Sequence, residues 1–367
     1  MSGATAPWLH DAWYAVATTD ELGPAPLART VLGQRLVLWR SAAGTPAALL
    51  DRCPHRFAPL SMGRVAGDAI ACLYHGIQFD TEGRCRHIPG QAGIPAGAQV
   101  RSFPVCERYG LVFAWLGDAA RAAATPLVDI PQYGAPGWGL SRGYDRFAAN
   151  WQLITDNLID PAHTSFVHQR TIGNDAGDEV PVQARELPDG TLQCGRWIRG
   201  APPVPVVRRF TGLDGPTDRW QLYHLKPPST SWVDFGAYAS GPEPGPAAQD
   251  AAPYRVLSYA FITPEDEGHS HYFSFQLRNV AVGDAAVTAE FEALYRLTFD
   301  EDRQLLEAIQ REEAAHPDLQ PLRIASDVGL VRLRRAQQRL LQAGPGAAPA
   351  QASAAGSSLS TSPIAVG

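Results

Sequence analysis

DRCPHRFAPLSMGRVAGDAIACLYHG, residues 51–76, holds Cys53-x-His55 and, after sixteen intervening residues, Cys72-x-x-His75. Two thiolates and two imidazoles on two loops suit a tetrahedral zinc. They suit equally a two-iron, two-sulfide cluster in which the cysteines hold one iron and the histidines the other. Structural zinc loops usually separate their ligands by roughly two to four residues. A loop with one intervening residue, paired with a loop with two, departs from that spacing and favours the iron–sulfur reading.

With Pro54 and Gly76 flanking the ligands, the double spacing is the Rieske arrangement, and it predicts Cys53, His55, Cys72 and His75 as ligands of a [2Fe-2S] cluster. High-potential relatives of such clusters add a disulfide between the loops. Leu73, Tyr74 and the segment after His55 offer no cysteine for one, which fits a reducing compartment and a lower-potential electron carrier. Tyr74 reads either as a hydrogen-bond donor to a sulfur or as a packing residue. Cys85, Cys106 and Cys194 have no ligand partner at useful spacing and read as ordinary small residues.

The 367 residues suffice for two domains with their own cores, and 45 % hydrophobic content is that of a globular protein. A net charge of −6 and scattered arginines leave no basic stripe for nucleic acid or an anionic membrane. No basic, then apolar leader opens the chain, and no apolar run approaches membrane-spanning length. The expected location is cytoplasmic, and five cysteines without a leader argue against a disulfide framework.

Short strands broken by Gly and Pro, such as LVLW (36–39), AALL (47–50) and LVFAWL (111–116), predict a compact β domain over 1–120. An Ala/Pro/Gly-rich change of texture at 119–136 marks its end. Over 121–343, strand character runs through 182–280, with a flexible loop at 241–253, and helical periodicity returns at 287–313 and 322–342. Residues 344–367 are low-complexity Ala/Ser/Gly/Pro and predict disorder.

A second constellation lies at Asn157–His168, NLIDPAHTSFVH. The preceding NWQLITDNL has helical spacing, and Pro161 breaks it, giving two short helices joined at Asp160–Pro161. His163 and His168 are five residues apart, so only the kink or a helix end brings both rings to one metal. Alone, such histidines are more often ordinary core or surface residues. An electron-delivering cluster upstream supplies a reason for a second metal, and a non-haem iron site needs a carboxylate besides. Phe299, Asp302, Leu306 and Ile309 share one helical face, which points Asp302 inward and Asp300 and Glu301 toward solvent. An N-capping or salt-bridged aspartate is the competing reading of Asp302.

Taken together, WYAVA near the start, DRCPHR, N-x-x-D-x-x-H-x4-H at 157–168, TPEDEGHSHYF at 263–273, the acidic pair before LLEAIQ, and SDVGLVRLRR resemble the α subunits of Rieske non-haem iron oxygenases, over roughly 8–343. Within them, the chain is similar to the vanillate and dicamba O-demethylase branch. The resemblance implies an α+β protein: a Rieske β domain, then a helix-grip (START-like) catalytic domain whose antiparallel sheet wraps a long helix, with C-terminal helices. It implies His163, His168 and Asp302 as ligands of a mononuclear Fe(II). It further implies a homotrimer in which Asp160 bridges His75 of one subunit to His163 of the next, and Asn157 beside the iron. Ungapped alignment puts Ala260 and Ala293 where the dicamba-type enzyme has substrate-contacting His and Trp, implying a roomier pocket not suited to dicamba.

The implied function is the terminal oxygenase of a multicomponent system, with electrons from NAD(P)H arriving through a separate reductase or ferredoxin. No dinucleotide fingerprint or flavin motif lies in this chain, so NAD(P)H and flavin belong to that partner. The expected reaction is O- or N-demethylation or methyl hydroxylation of a small aromatic compound, an aromatic acid, with O2. Ring cis-dihydroxylation is the alternative reaction. A Rieske electron-transfer protein with a ligand-binding domain, or a zinc-stabilised interaction protein, is the alternative class.

Overall fold

The computed structural model describes residues 8–169, 171–173, 175–177, 179–241, 249 and 251–343. The tail at 344–367 and most of the loop expected at 241–253 lie outside them.

Residues up to 116 form three small antiparallel sheets. Strands β1 (Ala12–Thr18), β10 (Val105–Arg108) and β11 (Leu111–Leu116) make one, in the order β1-β11-β10. Strands β2 (Leu27–Val31), β3 (Gln34–Arg40), β4 (Pro46–Leu50) and β9 (Ser102–Phe103) make the second. The third consists of β5 (Arg64–Ala66), β6 (Ala69–Ala71), β7 (Gln78–Phe79) and β8 (Cys85–His87). Val37, Trp39, Leu49, Ile70, Ile77 and Phe79 pack behind Cys53 and Cys72, so the two loops stand on a rigid apolar base.

The remainder is built on one seven-stranded antiparallel sheet, β12-β18-β17-β16-β15-β14-β13, made of β12 (Gly139–Phe147), β13 (Gln183–Glu186), β14 (Leu192–Ala201), β15 (Thr217–Lys226), β16 (Thr230–Ala239), β17 (Tyr254–Pro264) and β18 (Ser270–Arg278). On one face Phe261, Phe273 and Phe275 pack against Ala15 and Phe113 of the N-terminal sheets. On the other, Tyr272 meets Phe299 of the long helix. With both faces covered, every residue of β18 is buried, the polar His271, Ser274 and Gln276 included.

Beside short 3-10 turns, the described residues include the α-helices α1 (Trp151–Asn157), α2 (Thr164–Val167), α3 (Pro205–Thr211), α4 (Ala285–Ala315) and α5 (Val328–Ala343). Asp284 caps α4, accepting from the backbone N–H groups of Ala286 and Val287. Its buried stripe, Phe291, Thr298, Phe299, Asp302 and Leu306, is the periodic face expected from the sequence. The last helix starts at Val328 rather than 322: Leu322 and Ile324 are exposed, and Asp327 accepts from Ile324 N–H at 2.9 Å in the turn that leads into it. Arg334 on α5 forks onto Asp156 of α1 (Nε–Oδ1 3.0 Å, Nη2–Oδ2 2.5 Å), which anchors the segment that leads into the second constellation.

Strand β12 and helix α3 depart from the sequence expectation. GLSRGYDRF has few apolar residues and becomes a strand by pairing with β18 along its whole length. Helix α3 interrupts strand-like sequence between Pro205 at its first turn and Gly212 at its left-handed end.

Candidate metal centres and the cavity beside them

The two Cys/His loops repeat one backbone pattern despite their different spacing. Phe57 N–H donates to Cys53 O and Gly76 N–H to Cys72 O, both at 2.9 Å, while Cys53 N–H donates to Ala58 O and Cys72 N–H to Ile77 O. The residue that closes each loop has positive φ, 61° at Phe57 and 69° at Gly76; a Cβ at Gly76 would also sit 3.1 Å from Pro89. Both cysteines are buried and both histidines exposed, with the His55 and His75 rings 4.6 Å apart. Burial pushes the Cys53 thiol up to about 11, against the backbone N–H of His55, and the adjoining Cys72 pushes it the same way. Two abutting buried thiols beneath two outward imidazoles fit a cluster that supplies the positive charge needed to hold both as thiolates. Tyr74 packs on the His75 ring at 4.1 Å, and its hydroxyl lies 3.3 Å from Arg56 Nη1.

In the second constellation, Asn150 caps α1, accepting from Gln152 N–H, and α1 ends at Asn157. Pro161 then separates α1 from α2; His163 immediately precedes α2 and His168 follows it. The four-residue helix swings the two rings to a 5.2 Å centroid separation that a straight helix would not allow. Asp302 Oδ1, from α4, lies 3.7 Å from His163 Nε2 and 3.3 Å from His168 Nε2. One ligand atom from each of the three residues falls within 4.8 Å of the others.

Neighbouring groups set the donor atoms. Glu301 Oε2 takes Nδ1 of His168 at 3.0 Å and also accepts from Thr171 Oγ1 at 3.0 Å. His168 thus has a carboxylate at each ring nitrogen, Glu301 at Nδ1 and Asp302 at Nε2, and Nε2 is the atom it turns toward Asp302 and His163. Burial pulls the His168 pKa down, but Asp302 and Glu301 outweigh it and hold the group above its ordinary value. The solvent-facing expectation for Glu301 is therefore corrected: α2 and Thr171 cover that side of α4, leaving the Glu301 side chain only 10 % exposed. Asn157 Nδ2 donates to Asp302 Oδ1 at 3.0 Å. Asp160 Oδ2 is 3.7 Å from His163 Nδ1, a buried atom with no hydrogen-bond partner, and Oδ1 accepts from Ala162 N–H. Two imidazoles and one buried carboxylate, all on one side, are a donor set suited to a six-coordinate iron with open positions.

A cavity opens beside this triad, lined by Leu158, Val206, Phe235, Val256 and Phe299 among others, with Asn157, Gln221, Ser231, Ser258 and several tyrosine hydroxyls as polar contributors. Ala260 lines it. Ala293 does not; it is exposed on α4, so the expected widening at that position is not found. Gln221 and Glu301 were missed by sequence reasoning, and the one signal available for Gln221 is the alternation that puts it on the same strand face as Tyr223.

Residues 12–104 match the Rieske [2Fe-2S] domain family, and residues 147–343 match the vanillate O-demethylase oxygenase C-terminal domain family. The chain belongs to the Rieske-type non-haem iron oxygenases, within the branch typified by vanillate O-demethylase oxygenase subunits. It is 37 % identical over 342 residues to the toluene-4-sulfonate monooxygenase system iron-sulfur subunit of Comamonas testosteroni, covering 92 % of this chain and 98 % of that one. It is 35 % identical over 350 residues to the vanillate O-demethylase oxygenase subunit of a Pseudomonas species, covering 93 % and 97 %. Among solved structures, dicamba monooxygenase bound to 3,6-dichlorosalicylic acid superposes with a TM-score of 0.84 at 32 % identity, covering 92 % of this chain and 98 % of that one. The expected α+β fold and Rieske oxygenase class are thus borne out. No helix of the described residues is long and apolar enough to cross a membrane.

Proposed function

We propose that this oxygenase monooxygenates a small aromatic compound, by O- or N-demethylation or methyl hydroxylation. The observation that carries the reading is the convergence of His163, His168 and Asp302 at the wall of a mostly apolar cavity. In this reading Cys53, His55, Cys72 and His75 hold the cluster, His163, His168 and Asp302 hold the iron, and the chain divides into 1–120 and 121–343. Bound, these groups would supply stored electrons and a site for activating dioxygen.

The chain's own residues do the positioning. Glu301 fixes the tautomer of His168, Asn157 steadies Asp302, and the apolar walls keep bulk water from the reacting carbon. Insertion of one oxygen atom into a methoxy C–H gives a hemiacetal, which releases formaldehyde and leaves a phenol, so no further acid–base residue is required. Electrons come from a separate reductase or ferredoxin, in the cytoplasm. Asp160 would join His163 to His75 of a second copy in a homotrimer; exposed Phe57, Leu73 and Tyr74 around the two cluster histidines supply apolar surface for that contact.

The test is purification followed by visible absorbance, iron assay and turnover with a surrogate reductase on methoxy- and methyl-arenes. Colour, iron beyond that of the cluster, and formaldehyde or benzylic alcohol are expected. A colourless protein overturns the cluster, and a cis-diol as the sole product moves the reaction to ring dihydroxylation.

A further inference from the structure

Gln221 stands on β15, 7 % exposed, and lines the cavity. Its Oε1 accepts a hydrogen bond from Arg196 Nε at 2.9 Å, which fixes the direction of the amide. The Nε2 group is left as a donor pair, and it has no hydrogen-bond partner among the described residues. No arginine or lysine of the described residues lines the cavity; this amide is a directional donor there, beside the hydroxyls of Ser258, Tyr254, Tyr272 and Tyr295. Donation by a guanidinium to the amide oxygen polarises the N–H bonds and strengthens whatever bond they make.

Position adds to direction. Tyr223, two residues along the same strand face, has its hydroxyl 2.7 Å from Oγ1 of Thr164, the residue after His163. Arg196, which holds Gln221, also donates to Pro161 O at 3.1 Å, so the amide is tied to the same segment that carries His163. Cross-strand pairing continues the row from Gln221 to Phe235 and Val256, which offers an aromatic ring an apolar floor.

We propose that Gln221 donates to an acceptor oxygen of the kind a carboxylate or sulfonate supplies, carried by the aromatic substrate in this cavity. The proposal rests on the oxygenase reading and names the substrate feature this chain selects.

Isothermal titration of the iron-loaded protein without reductase tests it, using 4-methylbenzoate, 4-methylbenzenesulfonate and p-xylene as matched probes. Wild type is expected to bind one or both anionic probes more tightly than p-xylene, and the preferred one identifies the head group. Gln221→Leu removes the donor; Gln221→Glu keeps an acceptor for Arg196 but turns a carboxylate to the substrate. Both should weaken the preferred anionic probe by about tenfold or more, the worth of a hydrogen bond to a charged group, while p-xylene affinity stays within about twofold. Equal loss for all probes, unchanged anion affinity, or no anion binding by wild type would overturn the proposal. Binding that depends on Gln221 but yields no oxidised product with reductase and dioxygen would sink the oxygenase reading and leave this one standing. Turnover with anion binding indifferent to Gln221 would do the reverse.

Discussion

Glu301 Oε2 sits 3.0 Å from Nδ1 of His168, and the adjacent Asp302 reaches Nε2 of the same ring at 3.3 Å. One turn of α4 thus grips one imidazole from two sides. A carboxylate on the far nitrogen of a ligating histidine typically changes metal affinity or activity about 10–100-fold.

Glu301→Ala is accordingly expected to lower mononuclear iron occupancy and turnover by about that factor while leaving the cluster absorbance intact. Glu301→Gln, which can keep an acceptor oxygen toward Nδ1, should recover part of the loss. Full iron occupancy and turnover in the alanine variant would show that Glu301 is merely a salt-bridging residue.

The part of this arrangement that is local in sequence was legible, and the part that depends on packing was not. Cys53 to His75 declares itself because the ligands lie on two loops of fixed spacing. Asp302 could be read from helical periodicity because its neighbours Phe299 and Leu306 mark the inward face. Glu301 is displaced by about 100° on the same helix, and whether that side meets water depends on where α2 and Thr171 come to rest. Strand β12 was invisible for a similar reason: its polar GLSRGYDRF acquires strand structure from β18. The Ala293 expectation came from an ungapped register, which one turn of helix is enough to upset.

Asp160→Asn probes the contact with His163, where the carboxylate stands 3.7 Å from Nδ1. If the pair links one subunit to the next, the variant should retain the iron and the visible spectrum of wild type. In stopped flow, the reduced protein should then regain its oxidised absorbance far more slowly on mixing with substrate and oxygen. Reoxidation at the wild-type rate would refute the link.

Gly236 faces Trp220 across the β15–β16 ladder, and a Cβ there would lie 2.1 Å from the fully buried indole. The indole is also tethered, its Nε1 donating to Asp234 Oδ1 at 2.9 Å, so it has little room to retreat. Gly236→Ala should therefore destabilise by on the order of 1–3 kcal/mol, seen as a lower midpoint in thermal unfolding. Trp220 points to the sheet face opposite Gln221 and Tyr223, so affinity for the aromatic probes should be unchanged in the folded fraction. An unaltered midpoint would mean that the strands separate more easily at this pair than their register implies.

Stability should also fall in mild acid, and His224 sets the window. Arg185 Nε holds Gln193 Oε1 at 2.7 Å, so Gln193 Nε2 must be the group that donates to His224 Nε2, also at 2.7 Å. The imidazole is therefore neutral with its proton on Nδ1, a buried atom without a hydrogen-bond partner, and the ring stacks on Trp232 at 4.7 Å. Burial lowers its pKa from 6.5 to about 4. The unfolded chain binds this proton between those values and the folded chain does not, so stability is complete above pH 6.5 and declines as pH drops toward 4, by roughly 3 kcal/mol in all. His224→Phe keeps the stack and removes the titration. It should lose less thermal stability than wild type between pH 7 and 4.5, whatever its stability at pH 7. His271, lowered to about 4 chiefly by burial, still titrates in the variant, so a shallower rather than a flat profile is expected. An acid profile as steep as that of wild type would remove His224 as a source of the loss.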